Sequence, residues 1–203
     1  MTPPGTFERV YEAIKQRLRA GMYRPGARLE PAILSDELNA SVTPVRDALH
    51  RLTGERLVEA PKHEGFRAPM LTETVLRQLY GWHLDLLLLA SMSHRTAPSP
   101  KDVTQSATDG TSIQERQNDL FLTIAQRTGN PEHAIALRSL TERLEPAQRL
   151  EALFLDQTEE ETTGIVEALR ADDRRALRKC LVHYHRRRDR IVPEILAGLL
   201  QPN

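Results

Sequence analysis

The sequence predicts a mainly α-helical protein in two parts, with a short extended segment between them. Two observations support this fold class. Apolar residues recur every three or four positions through most of the 203 residues, which is the spacing of amphipathic helices. Strand-like patterning is confined to positions 56–69, where Gly and Pro punctuate short extended runs. Hydrophobic residues make up 39% of the chain, which is enough to build a core.

Composition narrows the class of protein. The formal net charge is zero, so any basic surface for nucleic acid has to be local. Residues 1–70 carry 11 Lys and Arg against 9 Asp and Glu, which is only a slight surplus. The single Cys180 allows no intramolecular disulfide and fits a reducing compartment. The apolar run 86–90 is too short to span a bilayer, and no signal peptide is visible, so we expect a cytoplasmic protein.

The first 54 residues predict three helices. Turn residues Gly21, Pro25 and Gly26 end the first one. Thr43 can cap the third helix, with Pro44 at its first position, where a missing N–H costs nothing. The apolar positions that share a face are Phe7, Val10, Tyr11, Ile14 and Leu18 in the first helix, Leu34 and Leu38 in the second, and Val45, Leu49 and Leu52 in the third.

The segment after these helices predicts a small hairpin, because two short extended runs flank a turn at 62–65. Three helices closed by a hairpin describe a winged helix-turn-helix. Its third helix would expose Arg46 and His50, four residues apart, with Ser41 and Thr43 at its N-terminal end. Such a helix fits the major groove of DNA, where Arg can hold guanine and hydroxyls can bind phosphate or base. The alternative is a solvated helix of an all-α protein.

A second part begins at residue 70, and only helical patterning follows. We expect a winged domain over 1–69 and an all-helical antiparallel bundle over 70–203. A polar loop is predicted at 96–112 and a helix terminus at Asn130. The first bundle helix carries Leu76, Leu79, Tyr80, His83, Leu84 and Leu87, and the later helices are predicted at 113–128, 131–155, 157–171 and 172–200.

Residues 7–69 resemble the GntR family of bacterial transcription regulators. The resemblance rests on "VYEAIKQRLRAGMYRPGARL" and on "SVTPVRDALHRLTGERLVEAPKHEGFRAP", which holds the pattern S-x-T-P-V-R-[DE]-A-L-x-R-L. Residues 70–203 resemble the FCD-type effector domain of the FadR branch, VanR-like subgroup, on helix order, "TGNP" (128–131) and "IVEALRADDRRAL" (165–177). The resemblance implies a homodimeric regulator, in the first instance a repressor, that binds double-stranded operator DNA and a small organic effector.

The family's DNA contacts are carried over to this chain at Ser41, Thr43, Arg46 and Arg51 on the helix and at His63 and Gly65 on the wing. Arg51 could equally form a surface ion pair with Asp47, four residues away. The chain departs from the family by having Pro31 for an acidic residue, Ala32 and Val42 for arginines, and Glu64 for a basic wing residue. Fewer cations mean fewer phosphate contacts, so we expect weaker and less salt-dependent binding.

The resemblance also implies a metal site of one Asp and three His in the bundle. The corresponding positions here are Gln117, Phe121, Thr162 and Tyr184, which cannot supply those ligands, so we expect neither metal nor cofactor. Periodicity points all four inward. We therefore predict an organic effector among these residues and His83, with a pocket packed shut as the alternative. His83 stands where the family often has an effector-binding Arg, and a bonded core histidine is the other interpretation.

Four further alternatives stay open. His183 and His185 lie about 200° apart on a helix, which favours surface or flanking histidines over a metal pair. The basic run 186–188 is interpreted as a solvated face, with a second nucleic-acid site as the alternative. A structural or ligand-binding helical protein whose winged helix no longer binds DNA is the main rival function. An enzyme using Tyr184, His83 and Gln117 is the other rival, but no spacing of nucleophile and base supports it.

Overall fold

The computed structural model describes residues 5–92 and 112–201, which contain nine helices and two short strands. The predicted polar loop at 96–112 lies outside these residues except for Ser112. In chain order the elements are α1 (Thr6–Arg19), β1 (Arg28–Leu29), α2 (Pro31–Glu37), α3 (Val42–Gly54), β2 (Phe66–Arg67), α4 (Glu73–Ser91), α5 (Ile113–Gln126), α6 (Pro131–Glu151), α7 (Thr158–Arg170), α8 (Arg174–Arg190) and α9 (Val192–Leu200). The predicted fold class is confirmed. None of these helices is both long and apolar enough to cross a bilayer.

The N-terminal core forms where α1 crosses α3 and the strands cover one end. The predicted inward residues Val45, Leu49 and Leu52 are all fully buried. The wing differs from the predicted hairpin, because β2 pairs antiparallel with β1, and Glu59 adds only one isolated bridge to Arg67. Sequence patterning missed β1 because a two-residue strand has no period, although its Leu29 is buried.

The start of α3 lies two residues earlier than predicted. Ser41, in an extended conformation, is the N-cap, and Val42 is the first helical residue. The prediction that Thr43 caps this helix is therefore wrong. Pro44 falls in the first turn, where backbone N–H groups have no intrahelical acceptor, so proline is tolerated there as well as at the first position. The Ser41 side chain makes no capping hydrogen bond.

The second core is formed by the six helices α4 to α9. Thr72 caps α4, its hydroxyl accepting from the backbone N–H of Val75 at 3.2 Å. Asn130 caps α6 by accepting from Glu132 N–H at 3.1 Å, which confirms the predicted helix terminus. The prediction of a single helix at 172–200 is wrong, because the helix breaks at Ile191. Pro193 has no backbone N–H to continue the hydrogen-bond ladder, and it lies instead in the first turn of α9.

Ion pairs join the two cores along α1 and α6. Arg19 meets Glu145 through two bonds of 2.6 Å, from Nε to Oε2 and from Nη2 to Oε1. Lys15 bridges Glu55 of the winged domain at 2.9 Å and Glu142 of α6 at 3.0 Å. The winged domain is therefore held against α6 by charge-assisted contacts that are only partly exposed.

Candidate functional site

The exposed side of α3 carries four of the predicted DNA-binding residues. Ser41, Thr43, Arg46 and His50 are all exposed, and we call them the reading face. Arg46 and His50 project about 40° apart around the helix axis, so they share one side. The His50 ring packs edge-on against Phe66 of β2, with the ring centroids 4.9 Å apart. The wing strand is thereby anchored directly beside the reading face.

Arg51 lies on a different side of α3, about 140° around the axis from Arg46. Its guanidinium is centred 4.1 Å from the ring of Tyr11 on α1, and its Nε lies 3.5 Å from Glu55. The cation thus stacks on an aromatic ring and pairs with Glu55 rather than with Asp47. The structure shows this packing role, and a DNA contact by Arg51 stays a prediction.

The tip of the wing combines exposed residues with an internal ion pair. Lys62, His63 and Gly65 are exposed, and both His63 and Gly65 have positive φ (67° and 78°). Glycine suits such a turn because it has no Cβ to clash. Glu64, which stands where the family commonly has a basic residue, lies 3.3 Å from Nη1 of Arg67. Glu64 therefore leaves the wing tip without the family's basic side chain. It also forms an ion pair with Arg67, whose charge is then partly neutralised.

The five residues predicted to line an effector pocket do come together. They are all buried: His83, Gln117, Phe121, Thr162 and Tyr184. Gln117 donates to the Thr162 hydroxyl at 2.8 Å, and the Tyr184 hydroxyl donates to Gln117 at 3.3 Å. The Phe121 ring lies 5.2 Å from His83 and 5.0 Å from Tyr184. These side chains would have to separate to admit a ligand, so effector binding here stays a prediction.

Four of these residues stand at the positions of the family's metal ligands, and they do not fit a metal ion. They are Gln117, Phe121, Thr162 and Tyr184. Their donors are an amide and two hydroxyls already bonded to one another, without a carboxylate, imidazole or thiolate among them. Within residues 5–92 and 112–201, no group of three or more His, Cys, Asp or Glu side chains is arranged to hold a metal.

His185 is a buried residue that was not identified as such from the sequence. Its Nδ1 lies 2.8 Å from the Leu181 carbonyl and its Nε2 lies 2.9 Å from Nδ1 of His83. A carbonyl only accepts, so Nδ1 of His185 donates, and the neutral ring then accepts at Nε2 from His83. The interpretation of His185 as a surface or flanking residue is wrong. His83 has the alternative role left open for it, a bonded core histidine.

Arg188 is the largest correction to the sequence interpretation. It is fully buried, with its Nε 2.8 Å from Glu151 and its Nη1 2.9 Å from Glu161. Its guanidinium lies 3.2 Å from the centre of the Tyr184 ring. The run 186–188 is thus not a solvated face. The signal was present in the sequence, since positions 181, 184 and 188 fall on one side of a helix.

Burial of the two histidines predicts a stability that falls on acidification. Loss of solvation lowers the pKa of His185 to about 4 and lowers the pKa of His83, with the Arg188 charge adding to both. Histidines of the unfolded chain, with pKa near 6.5, take up protons before the buried ones do. Protonation therefore stabilises the unfolded state relative to the folded state as pH falls below 6.5. We expect the free energy of unfolding to drop by up to about 1.4 kcal/mol per pH unit for each histidine.

Urea unfolding at pH 7, 6 and 5 measures this effect. His185→Gln should flatten the curve relative to the parent protein, because one titrating group has been removed. His63→Gln, at an exposed position, is the matched control and should leave the slope unchanged. Equal slopes for all three proteins would mean that the buried pair does not set the acid sensitivity.

Comparison with known proteins agrees with this geometry. Residues 6–67 match the model of the gntR family of bacterial regulatory proteins. The HTH-type transcriptional regulator McbR of Escherichia coli (strain K12) is 26% identical over 185 residues, covering 83% of this chain and 84% of McbR. The Nta operon transcriptional regulator of Aminobacter aminovorans is 40% identical over 58 residues, covering 29% of this chain and 28% of that protein.

Solved structures extend the likeness across both domains. E. coli McbR/YncC superposes with a TM-score of 0.68 at 24% identity, covering 94% of this chain and 98% of that one. A putative GntR transcriptional regulator from Rhodococcus sp. RHA1 gives a TM-score of 0.73 at 17% identity, covering 93% and 97%. The winged domain with its reading face is therefore similar to the gntR family of bacterial regulatory proteins over residues 6–67, and the solved structures share the fold of both domains.

Proposed function

We propose that this protein is a transcription regulator that binds double-stranded operator DNA as a homodimer and responds to a small organic effector. The observation that carries the proposal is the reading face of α3, exposed beside an anchored wing in the segment that matches the family. Because its partner is chromosomal DNA, we place it in the cytoplasm. Its relatives are regulators, and we assign no catalytic step to Tyr184, His83 or Gln117.

The reading face would enter the major groove. Arg46 is suited to holding the O6 and N7 atoms of a guanine, while Ser41 and Thr43 lie at the helix N-terminus. The first backbone N–H groups of α3 receive no side-chain cap, so they are free to donate to a phosphate. His63 and Gly65 at the wing would meet the neighbouring backbone. A two-fold dimer then requires a near-palindromic operator.

The rival function is a protein whose winged helix has lost its affinity for DNA. Two observations favour it: Glu64 is paired with Arg67 at the wing, and Val42 and Pro31 stand where the family commonly has an arginine and an acidic residue. Fluorescence anisotropy with duplex from the promoter of its own gene, at 50, 100 and 200 mM salt, separates the two. We expect salt-sensitive binding of two chains per duplex, stronger than to a shuffled duplex. Equal affinity for both duplexes would favour the rival.

Glu64→Lys should strengthen DNA binding. The change replaces a carboxylate with a cation at the wing tip and releases Arg67 from one of its two partners. One added phosphate contact steepens the dependence of log affinity on log salt by about 0.9. Glu167→Lys makes the same charge change at an exposed position of α7 and is the control. If both variants steepen the slope equally, net charge rather than the wing explains the gain.

A further inference from the structure

A cavity of about 580 Å³ lies between the two domains. Its walls combine the base of the wing, the segment that joins the domains, and helices α4, α6 and α9. Most of the wall is apolar, with Leu57 and Val58 from the winged domain and Leu71, Val75, Pro146 and Leu199 from the other side. This volume and lining are those of a site for a small organic molecule. We call it the interdomain cavity.

Two arginines supply the charge of this cavity. Arg56 follows α3 and Arg143 belongs to α6, and both line the interdomain cavity. Across residues 5–92 and 112–201, neither guanidinium is within bonding distance of a carboxylate or another acceptor. Burial and the nearby charge of Arg56 both lower the pKa of Arg143, as unbalanced positive charge should. Like charges held together in a partly apolar cavity favour an anion between them.

The carboxylates around this cavity are already neutralised. Glu59 lies 2.8 Å from Nε of Arg67 and also accepts from the Met70 backbone N–H at 3.3 Å. Glu142 lies 3.0 Å from Lys15. Each acid of the wall is therefore paired with a cation that lies outside the lining, whereas Arg56 and Arg143 have no carboxylate partner among the described residues. The uncompensated charge of the cavity is positive.

We propose that the interdomain cavity binds an amphipathic organic anion, with one carboxylate at Arg56 and Arg143 and an apolar body along the wall. Arg56 and Leu57 come from the winged domain, while Arg143 and Val75 come from the helical domain. A bound ligand therefore touches both domains and stabilises one angle between them. This names the effector site of the proposed regulator and rests on that function only for its effect on DNA.

Calorimetric titration of the full chain with decanoate tests the site. Decanol, with the same apolar body and no charge, is the matched ligand control. We expect one decanoate per chain and at least tenfold weaker binding of decanol. Arg56→Met and Arg143→Met keep the apolar stem, and each should weaken decanoate binding at least fivefold. Arg138→Met, at an exposed position of the same helix α6, should not.

Three results would overturn the site: equal binding of decanoate and decanol, no binding of decanoate, or an equal loss in Arg138→Met. Circular dichroism establishes that each variant is folded. If Arg143→Met does not fold, Arg56→Met decides alone, since Arg56 is exposed.

The effect on DNA is measured separately, by anisotropy with and without saturating decanoate. We expect at least a threefold change in operator affinity for the parent protein and none for the Arg56→Met, Arg143→Met double variant. An unchanged affinity in the parent protein overturns the coupling between ligand and DNA. A protein that binds decanoate through the two arginines but binds no DNA supports the site and overturns the proposed function.

Discussion

Arg188→Met is expected to lower the free energy of unfolding by about 3–5 kcal/mol. The arginine is fully buried, and its guanidinium lies 2.8 Å from Glu151 and 2.9 Å from Glu161. Methionine keeps an apolar chain beside Tyr184 but leaves the buried Glu151 without its cation. Glu161, in contrast, keeps Arg187 at 3.0 Å. An uncompensated buried charge is among the costliest single changes a protein can suffer.

Urea unfolding at pH 7 measures the loss, with Arg186→Met as the control. Arg186 is exposed two residues away, so its substitution should cost less than about 0.5 kcal/mol. Burial raises the pKa of Glu151, so this carboxyl is ready to take up a proton once Arg188 is absent. The deficit of Arg188→Met should therefore shrink between pH 7 and pH 5. A loss under 1 kcal/mol would show that Glu151 finds another partner.

The sequence predicted those features that depend on local repetition. Helical spacing correctly placed Val45, Leu49 and Leu52 in the core, and the turn residues correctly separated α1 from α2. Element ends were less accurate. Ser41 and not Thr43 occupies the N-cap position of α3, because both residue types are common there and only backbone conformation distinguishes them. The two-residue β1 gave no periodic signal.

The buried polar centre could not be predicted from local patterns. The carboxylate partners of Arg188 lie 27 and 37 residues away, and the partner of His185 is 102 residues away. In the sequence "HYHRRRDR" the charges suggest a solvated face, and only helical spacing indicates that Arg188 points inward. Long-range pairing decides which cation of such a run is buried.

The candidate DNA contacts also show that a local pattern identifies candidate residues, whereas long-range contacts decide their roles. Family resemblance assigned both Arg46 and Arg51 to DNA, since both belong to the pattern that carries the resemblance. The structure separates them: Arg46 is exposed on the reading face, whereas Arg51 stacks on Tyr11, which lies 40 positions earlier. A motif places residue types along a helix, and the neighbouring helix decides which of them remain free to contact a ligand.

Arg46→Ala should therefore reduce operator affinity by about 1–3 kcal/mol per half-site. Within the described parts of the chain its guanidinium has no hydrogen-bond or ion-pair partner, so truncation removes a DNA contact without disturbing the fold. Anisotropy titrations against the operator, and against duplexes with single base changes in each half-site, measure the effect. The variant should also lose its preference at one base pair, because a residue that reads a base affects specificity as well as affinity.

Arg170→Ala is the matched control, since it removes the same charge from an exposed position of α7. A small, sequence-independent loss in Arg170→Ala beside a large, sequence-dependent loss in Arg46→Ala would identify Arg46 as a base reader. Arg51→Ala adds a third comparison: a phosphate contact would weaken all sequences equally, whereas a purely packing role would lower stability and leave DNA affinity unchanged. Wild-type affinity and preference in Arg46→Ala would instead assign sequence readout to His50 and the wing.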